Sequence, residues 1–187
     1  MELVIKHKNA ISDSDIALCL SLMNKQRKDY IKTVTNVHRK TMSICAEFMA
    51  KELISKITGK AFEEIDILRT EKGKPYLKDD SLFISISHSG DFVAVAADTV
   101  PIGIDIEEVK VIDLKIAKRV CTISDLEFLY SGENLLGFYK IWTAKEAYFK
   151  MKGTGITDLK SISYNKINAV HQIKDNLLIT TVTEKPM

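Results

Sequence analysis

Gly103-Ile104-Asp105-Ile106-Glu107 and, further along, Trp142-Thr143-Ala144-Lys145-Glu146-Ala147-Tyr148-Phe149-Lys150-Met151-Lys152-Gly153 decide how this chain folds. The first stretch reads as a strand, in which Asp105 and Glu107 point one way and Ile104 and Ile106 the other. The second reads as a helix, in which Glu146 and Lys150, four apart, share a face. If the helix packs on the strand, three carboxylates and an ammonium meet. At about 5 Å and an effective dielectric near 20, each pair of carboxylates repels by roughly 3 kcal/mol. A cation between them removes that cost. With only oxygen donors in view, the natural cation is Mg²⁺, which keeps some waters and shares its shell with a substrate phosphate.

Working outward, Val4–Lys6 reads as a short strand. Ser12 or Ser14 is placed to cap a helix running to about Lys32. His38 to Lys56 reads as a second helix, with Gly59 near its end. Strands are predicted at Ile65–Arg69, Leu82–Ile86 and Phe92–Ala97, with a turn at Lys72-Gly73-Lys74-Pro75. Pro101 precedes the strand Ile102–Ile106. Helices are expected at about Leu114–Val120, Ser124–Tyr130 and Leu135–Lys152, and closing strands at Ser161–Tyr164 and Leu177–Val182. Long helices beside small antiparallel sheets make this an α+β protein.

The two opening motifs, with Lys72-Gly73-Lys74-Pro75-Tyr76 and Ile84-Ser85-Ile86-Ser87-His88-Ser89-Gly90 upstream, resemble the signature of the 4′-phosphopantetheinyl transferases, in their Sfp-like (surfactin-synthetase-activating) branch. Four pieces in one consistent order, from about residue 20 to residue 165, make the resemblance specific. It implies two pseudo-twofold related halves, each with a small antiparallel sheet and packed helices, and an active site at their junction. The halves are residues 1–99, carrying coenzyme A phosphate contacts, and residues 100–187, carrying the metal and catalytic carboxylates.

The implied reaction moves 4′-phosphopantetheine from coenzyme A to a serine of an apo acyl or peptidyl carrier protein, with Mg²⁺, and releases adenosine 3′,5′-bisphosphate. The resemblance makes Asp105, Glu107 and Glu146 the metal ligands. Either Glu146 is also the base toward the serine hydroxyl or a metal-bound water relays that proton instead, and Lys150 is a catalytic residue that reaches the pyrophosphate. Lys25, Lys28, Arg39, Lys74, Ser87 and His88 join Lys150 as coenzyme A contacts, with Arg39 on the 3′-phosphate. Read without the resemblance, Lys145 and Lys150 are ordinary solvated lysines and Trp142 a core anchor.

Two other functions stand beside this one. A non-catalytic module that binds coenzyme A or a carrier protein would need the same contacts. Lys145-Glu146-Ala147 followed by Gly153 also resembles the box of Nudix hydrolases, but that box wants two further glutamates where Phe149, Lys150 and Met151 stand.

The 187 residues carry a net charge of +2, which argues neither for nor against nucleic acid; no nucleic acid partner is expected. Lys25, Arg27, Lys28, Lys32, Arg39 and Lys40 nevertheless cluster and suit a phosphate or an acidic carrier protein. Cys19, Cys45 and Cys121 are odd in number and far apart, which suggests a reducing compartment. With no signal peptide and no apolar run of membrane length, the expected location is cytoplasmic, away from any membrane. The second half shows no apolar counterpart of Phe92–Ala97 before Met187. A shortened last sheet is therefore expected, leaving Leu135, Phe138 and Ile141 for a second copy or the carrier to cover.

Overall fold

The computed structural model describes residues 1–132, 135–156 and 158–184. A five-stranded antiparallel sheet contains β1 (Glu2–His7), β2 (Ile67–Arg69), β3 (Pro75–Leu77), β4 (Phe83–Ser89) and β5 (Phe92–Asp98), in the order β1-β5-β4-β3-β2. A three-stranded antiparallel sheet contains β6 (Ile102–Glu108), β7 (Ala169–Lys174) and β8 (Leu177–Thr183), in the order β6-β8-β7. The helices are α1 (Asp13–Leu22), α2 (Lys25–Thr33), α3 (Val37–Thr58), α4 (Ala117–Val120), α5 (Ile123–Tyr130) and α6 (Leu135–Lys152). α3 packs on the first sheet through β4 and β5, and α6 packs on the second through β6 and β8. The architecture is α+β, as the alternation of helical and strand periodicities implies.

Local signals set the helix ends. Ser12 caps α1 by accepting from the Asp15 N–H, and the Asp15 side chain reaches back to the cap N–H, so two orphan donors are satisfied together. The helix expected to run from there to Lys32 is two helices. Asn24 breaks it by accepting from the Arg27 N–H at 2.8 Å, which starts α2 afresh. α3 ends at Gly59, whose φ of 73° is the left-handed conformation of a helix stop.

The second sheet corrects three expectations. Ser161–Tyr164 is not a strand: 3₁₀ turns cover Leu159–Ser161 and Tyr164–Lys166, the first begun by the Asp158 side chain accepting from the Lys160 N–H. The strand in its place is β7. The strand expected at Leu177–Val182 is β8, and it is itself the apolar closing strand that was read as missing, buried over six of its seven residues. It pairs antiparallel with β6 as β5 pairs with β1, and with β7 as β5 pairs with β4. α6 is therefore covered: Phe138 and Ile141 are fully buried beside Leu178, with Leu135 partly buried against them. Among the described residues, the edge of the second sheet open to a covering partner is the outer edge of β7, where Val170 and Ile173 are exposed. Residues 185–187, at the end of the chain, lie outside the described ones.

β6 lies between α6 and β4. Its helix side explains Gly103. A Cβ at that position would stand 1.8 Å from the Ala147 carbonyl oxygen and 2.8 Å from the Met151 nitrogen. Both belong to the α6 backbone, which cannot rotate away as a side chain can. Gly103→Ala should therefore lower unfolding free energy by about 3 kcal/mol or more, because helix and strand must separate. Urea denaturation followed by far-UV circular dichroism measures it; a loss under about 1 kcal/mol would mean that the contact is looser than it stands here.

The other edge of β6 pairs with no strand among the described residues. Its N–H groups go to side chains of β4 instead. Ile104, Ile106 and Glu108 donate to the hydroxyls of Ser85, Ser87 and Ser89 at 2.9, 3.4 and 3.1 Å. Alternate residues share a strand face, so three serines spaced by two form a comb matched to every second N–H of β6. The comb satisfies donors that would otherwise be buried unpaired, and it joins the two sheets.

Candidate active site

The junction sets three carboxylates side by side. Strand alternation turns Asp105 and Glu107 toward β4, where Ser87 Oγ donates to Asp105 Oδ1 and Ser89 Oγ to Glu107 Oε2, each at 2.7 Å. α6 supplies Glu146 and, one turn on, Lys150. The Lys150 ammonium donates to Asp105 Oδ1 at 2.6 Å and to Ser87 Oγ at 2.8 Å, and stands 3.9 Å from Glu146 Oε2. The Trp142 indole N–H donates to Glu146 Oε1 at 2.7 Å.

The electrostatics are those of crowded acids. Burial pushes Glu107 up to about 7; the Asp105 and Glu146 charges add to this, while the Ser89 hydroxyl and Lys150 oppose it. Glu146 is also held above the ordinary carboxylate range, by burial first and the Asp105 charge second. Asp105 is 1% exposed, and its Oδ2 is buried without a hydrogen-bond partner. An orphaned buried carboxylate oxygen beside two further carboxylates fits a hard cation. As they stand, no three acidic, His or Cys side chains among the described residues are gathered tightly enough to hold a metal ion. Lys150 sits on Asp105 where the positive charge is needed.

Two clefts open beside this centre and share Gly73, Pro75 and Ile86. One, of about 440 Å³, is lined by Arg27, Tyr30, Arg69 and His88. The other, of about 280 Å³, is lined by Lys72, Lys74, Phe149, Lys150 and Gly155. Behind the first, Glu47, only 2% exposed, bridges Arg27 Nε at 3.1 Å and Arg69 at 2.5 Å, so two guanidiniums face one carboxylate. Crowding by its neighbours and the Lys150 and Arg39 charges hold the His88 imidazole below its usual range.

Other expected contacts are placed differently. Lys25 is 91% exposed and pairs with Asp29 at 2.9 Å, while Lys28 donates to the Ser21 carbonyl at 2.8 Å. Neither lines the clefts. Arg39 is exposed in the first turn of α3. Lys74 donates to the Met151 carbonyl at the end of α6, and its methylenes lie over Gly153, where a Cβ would be 2.8 Å from Lys74 Cδ.

The chain matches the family model described as 4′-phosphopantetheinyl transferase superfamily over residues 101–185, and the one described as 4′-phosphopantetheinyl transferase, N-terminal, over residues 10–100. It is 37% identical over 120 residues to the 4′-phosphopantetheinyl transferase psf-1 of Bacillus pumilus, covering 62% of this chain and 51% of that one. To the 4′-phosphopantetheinyl transferase Sfp of Bacillus subtilis (strain 168) it is 32% identical over 143 residues, covering 74% and 63%. To the 4′-phosphopantetheinyl transferase gsp of Aneurinibacillus migulanus it is 29% identical over 157 residues, covering 82% and 66%. The chain belongs to the 4′-phosphopantetheinyl transferase superfamily, in its Sfp-like branch. It spans about half to two thirds of the length of these relatives.

Within this phosphopantetheinyl transferase fold, three features go beyond the sequence reading. Lys145, expected in solvent, is fully buried and donates to Asp125 Oδ2 at 2.6 Å and to the Val120 carbonyl at 2.8 Å. Trp142 is half-buried against the core, stacked on Tyr139, and also steers Glu146; its i,i+4 spacing from that glutamate was the available signal. Arg69 and Glu47 come together from a strand and a helix, and no local pattern pairs them.

Proposed function

We propose that this protein transfers 4′-phosphopantetheine from coenzyme A to a serine of an apo acyl or peptidyl carrier protein, releasing adenosine 3′,5′-bisphosphate in an Mg²⁺-dependent reaction. One observation carries the reading. Asp105 is buried at the junction with one oxygen orphaned, flanked by Glu107 and Glu146 and met by Lys150, whose side chain also lines one of two neighbouring cation-lined clefts. Asp105, Glu107 and Glu146 would hold Mg²⁺, whose chemistry is to neutralise pyrophosphate charge as the nucleotide leaves.

The chain's own side chains do the rest. Residues 1–99 supply the coenzyme A contacts: Arg27, Arg69, His88 and Arg39 suit phosphate, with Lys74 and Ser87 at the junction and Lys25 and Lys28 at the periphery. Lys150 is within reach of a pyrophosphate oxygen. Glu146, steered by the Trp142 N–H, would take the proton of the incoming serine hydroxyl. A cytoplasmic location accords with three buried free cysteines. Among the described residues no helix is long and apolar enough to cross a membrane.

The test is incubation with coenzyme A, Mg²⁺ and a panel of apo carrier proteins from fatty-acid, polyketide and non-ribosomal-peptide biosynthesis, read by mass spectrometry. A phosphopantetheine mass gain on a carrier serine is the expected result. Coenzyme A binding without transfer would point to the binding module, and nucleotide hydrolysis without a carrier to a pyrophosphate hydrolase.

The 3′-phosphate gives a finer prediction. Arg39→Ala should raise the KM for coenzyme A roughly tenfold or more, the scale of a lost hydrogen bond to a charged group. It should also blunt discrimination against dephospho-coenzyme A. If Arg39→Ala keeps the wild-type preference and Arg27→Ala loses it, the 3′-phosphate lies on Arg27 in the cleft.

A further inference from the structure

Ser89 takes no part in the assignments above, yet its hydroxyl is used twice. It accepts the Glu108 N–H at 3.1 Å and donates to Glu107 Oε2 at 2.7 Å. Ser87 does the same one repeat earlier, accepting from Ile106 at 3.4 Å and donating to Asp105 Oδ1 at 2.7 Å. A hydroxyl has one hydrogen. Once its lone pair is committed to the N–H of one residue of β6, that hydrogen is aimed at the carboxylate of the residue before. Ser85 shows the comb without this second function: it accepts from Ile104 at 2.9 Å, and the residue before Ile104 is Gly103, which has no side chain to hold. Ser87 is shared with Lys150, so Ser89 is the cleaner case.

We infer that Ser89 is a positioning residue, which through its bond to Glu107 holds that carboxylate in the orientation a divalent cation needs; the inference rests on the metal reading above. A glutamate has three rotatable side-chain bonds, and a half-buried one with no donor would sample several orientations. Ser89 binds one oxygen and leaves the other for a cation.

The experiment titrates Mn²⁺ into the protein and follows the free-ion signal by electron paramagnetic resonance. The transfer assay, run in parallel, gives the Mg²⁺ concentration for half-maximal rate. Ser89→Ala should weaken Mn²⁺ binding about tenfold or more, the scale on which hydrogen-bond partners of metal ligands act. It should raise the half-maximal Mg²⁺ concentration likewise and leave the KM for the carrier unchanged. Ser89→Thr, which keeps the hydroxyl, should restore both. Ser85→Ala, which loses only a backbone contact, should lower the melting temperature and leave Mn²⁺ affinity as in wild type. Ser89→Cys keeps the volume with a weak donor and gives the same reading if the alanine variant does not fold. Wild-type Mn²⁺ affinity in Ser89→Ala or Ser89→Cys, or an equal loss in Ser85→Ala, would overturn the inference and leave the metal reading standing. No Mn²⁺ uptake by the wild type would overturn both.

Discussion

Asp105→Ala is expected to cut turnover by about two to three orders of magnitude, the scale of losing a central electrostatic element at a reacting centre. The side chain ends at the junction, where Ser87 and Lys150 donate to Oδ1 and Oδ2 has no partner. Its removal takes away one carboxylate of three and leaves the Lys150 ammonium without its shortest acceptor. The fold should survive, because β6 is held by its pairing with β8 and by the serine comb, neither of which uses the Asp105 side chain. Circular dichroism should therefore match wild type while transfer, measured by carrier mass gain, collapses. Near-wild-type turnover in Asp105→Ala, or in wild type with excess chelator, would remove the carboxylate-metal basis of the proposed function.

Lys145→Ala should produce the largest loss of stability, about 3 to 5 kcal/mol, the range for breaking a buried ion pair from one side. Lys145 is fully buried and Asp125 is 2% exposed. After the substitution Asp125 keeps the Thr122 and Tyr164 N–H donors, each at 2.8 Å, and loses its only cation among the described residues. In wild type burial acts to raise the Asp125 pKa, but the hydrogen bonds from Lys145, Thr122 and Tyr164 outweigh it and hold the group below its usual value. A depressed carboxylate contributes stability above its unfolded pKa and loses it as pH falls through the folded value. In Lys145→Ala burial is opposed by less, the folded pKa rises, and protonation relieves a buried charge. The deficit against wild type should therefore narrow as pH falls through the carboxylate range. Denaturant titrations at neutral and acidic pH measure this; a deficit that widens on acidification would show that Asp125 is not the stranded charge. Lys145→Met combined with Asp125→Leu should recover most of the loss, since removing both partners leaves no unpaired charge.

These two residues also separate what local sequence and tertiary structure each decide. The strand at Ile102–Glu108 and the helix at Leu135–Lys152 follow from periodicity, and periodicity placed Asp105 and Glu107 on one strand face and Glu146 and Lys150 on one helix face. Gly59, and Ser12 or Ser14, marked helix ends for the same reason: caps and turns are interactions between near neighbours in the chain, and Ser12 is the cap. The carboxylate cluster and the family signature were therefore readable from the residues. The burial of Lys145 was not, because its partner lies 20 residues away on another helix, and a lysine on a helix looks the same in either surrounding. The arginine pair on Glu47 joins α2, α3 and β2, so only chain closure brings it together. The pairing of β8 and the serine comb belong to this second kind. Which strand meets which edge depends on contacts between residues distant in the chain, and only there do Ser87 and Ser89 become partners of Asp105 and Glu107.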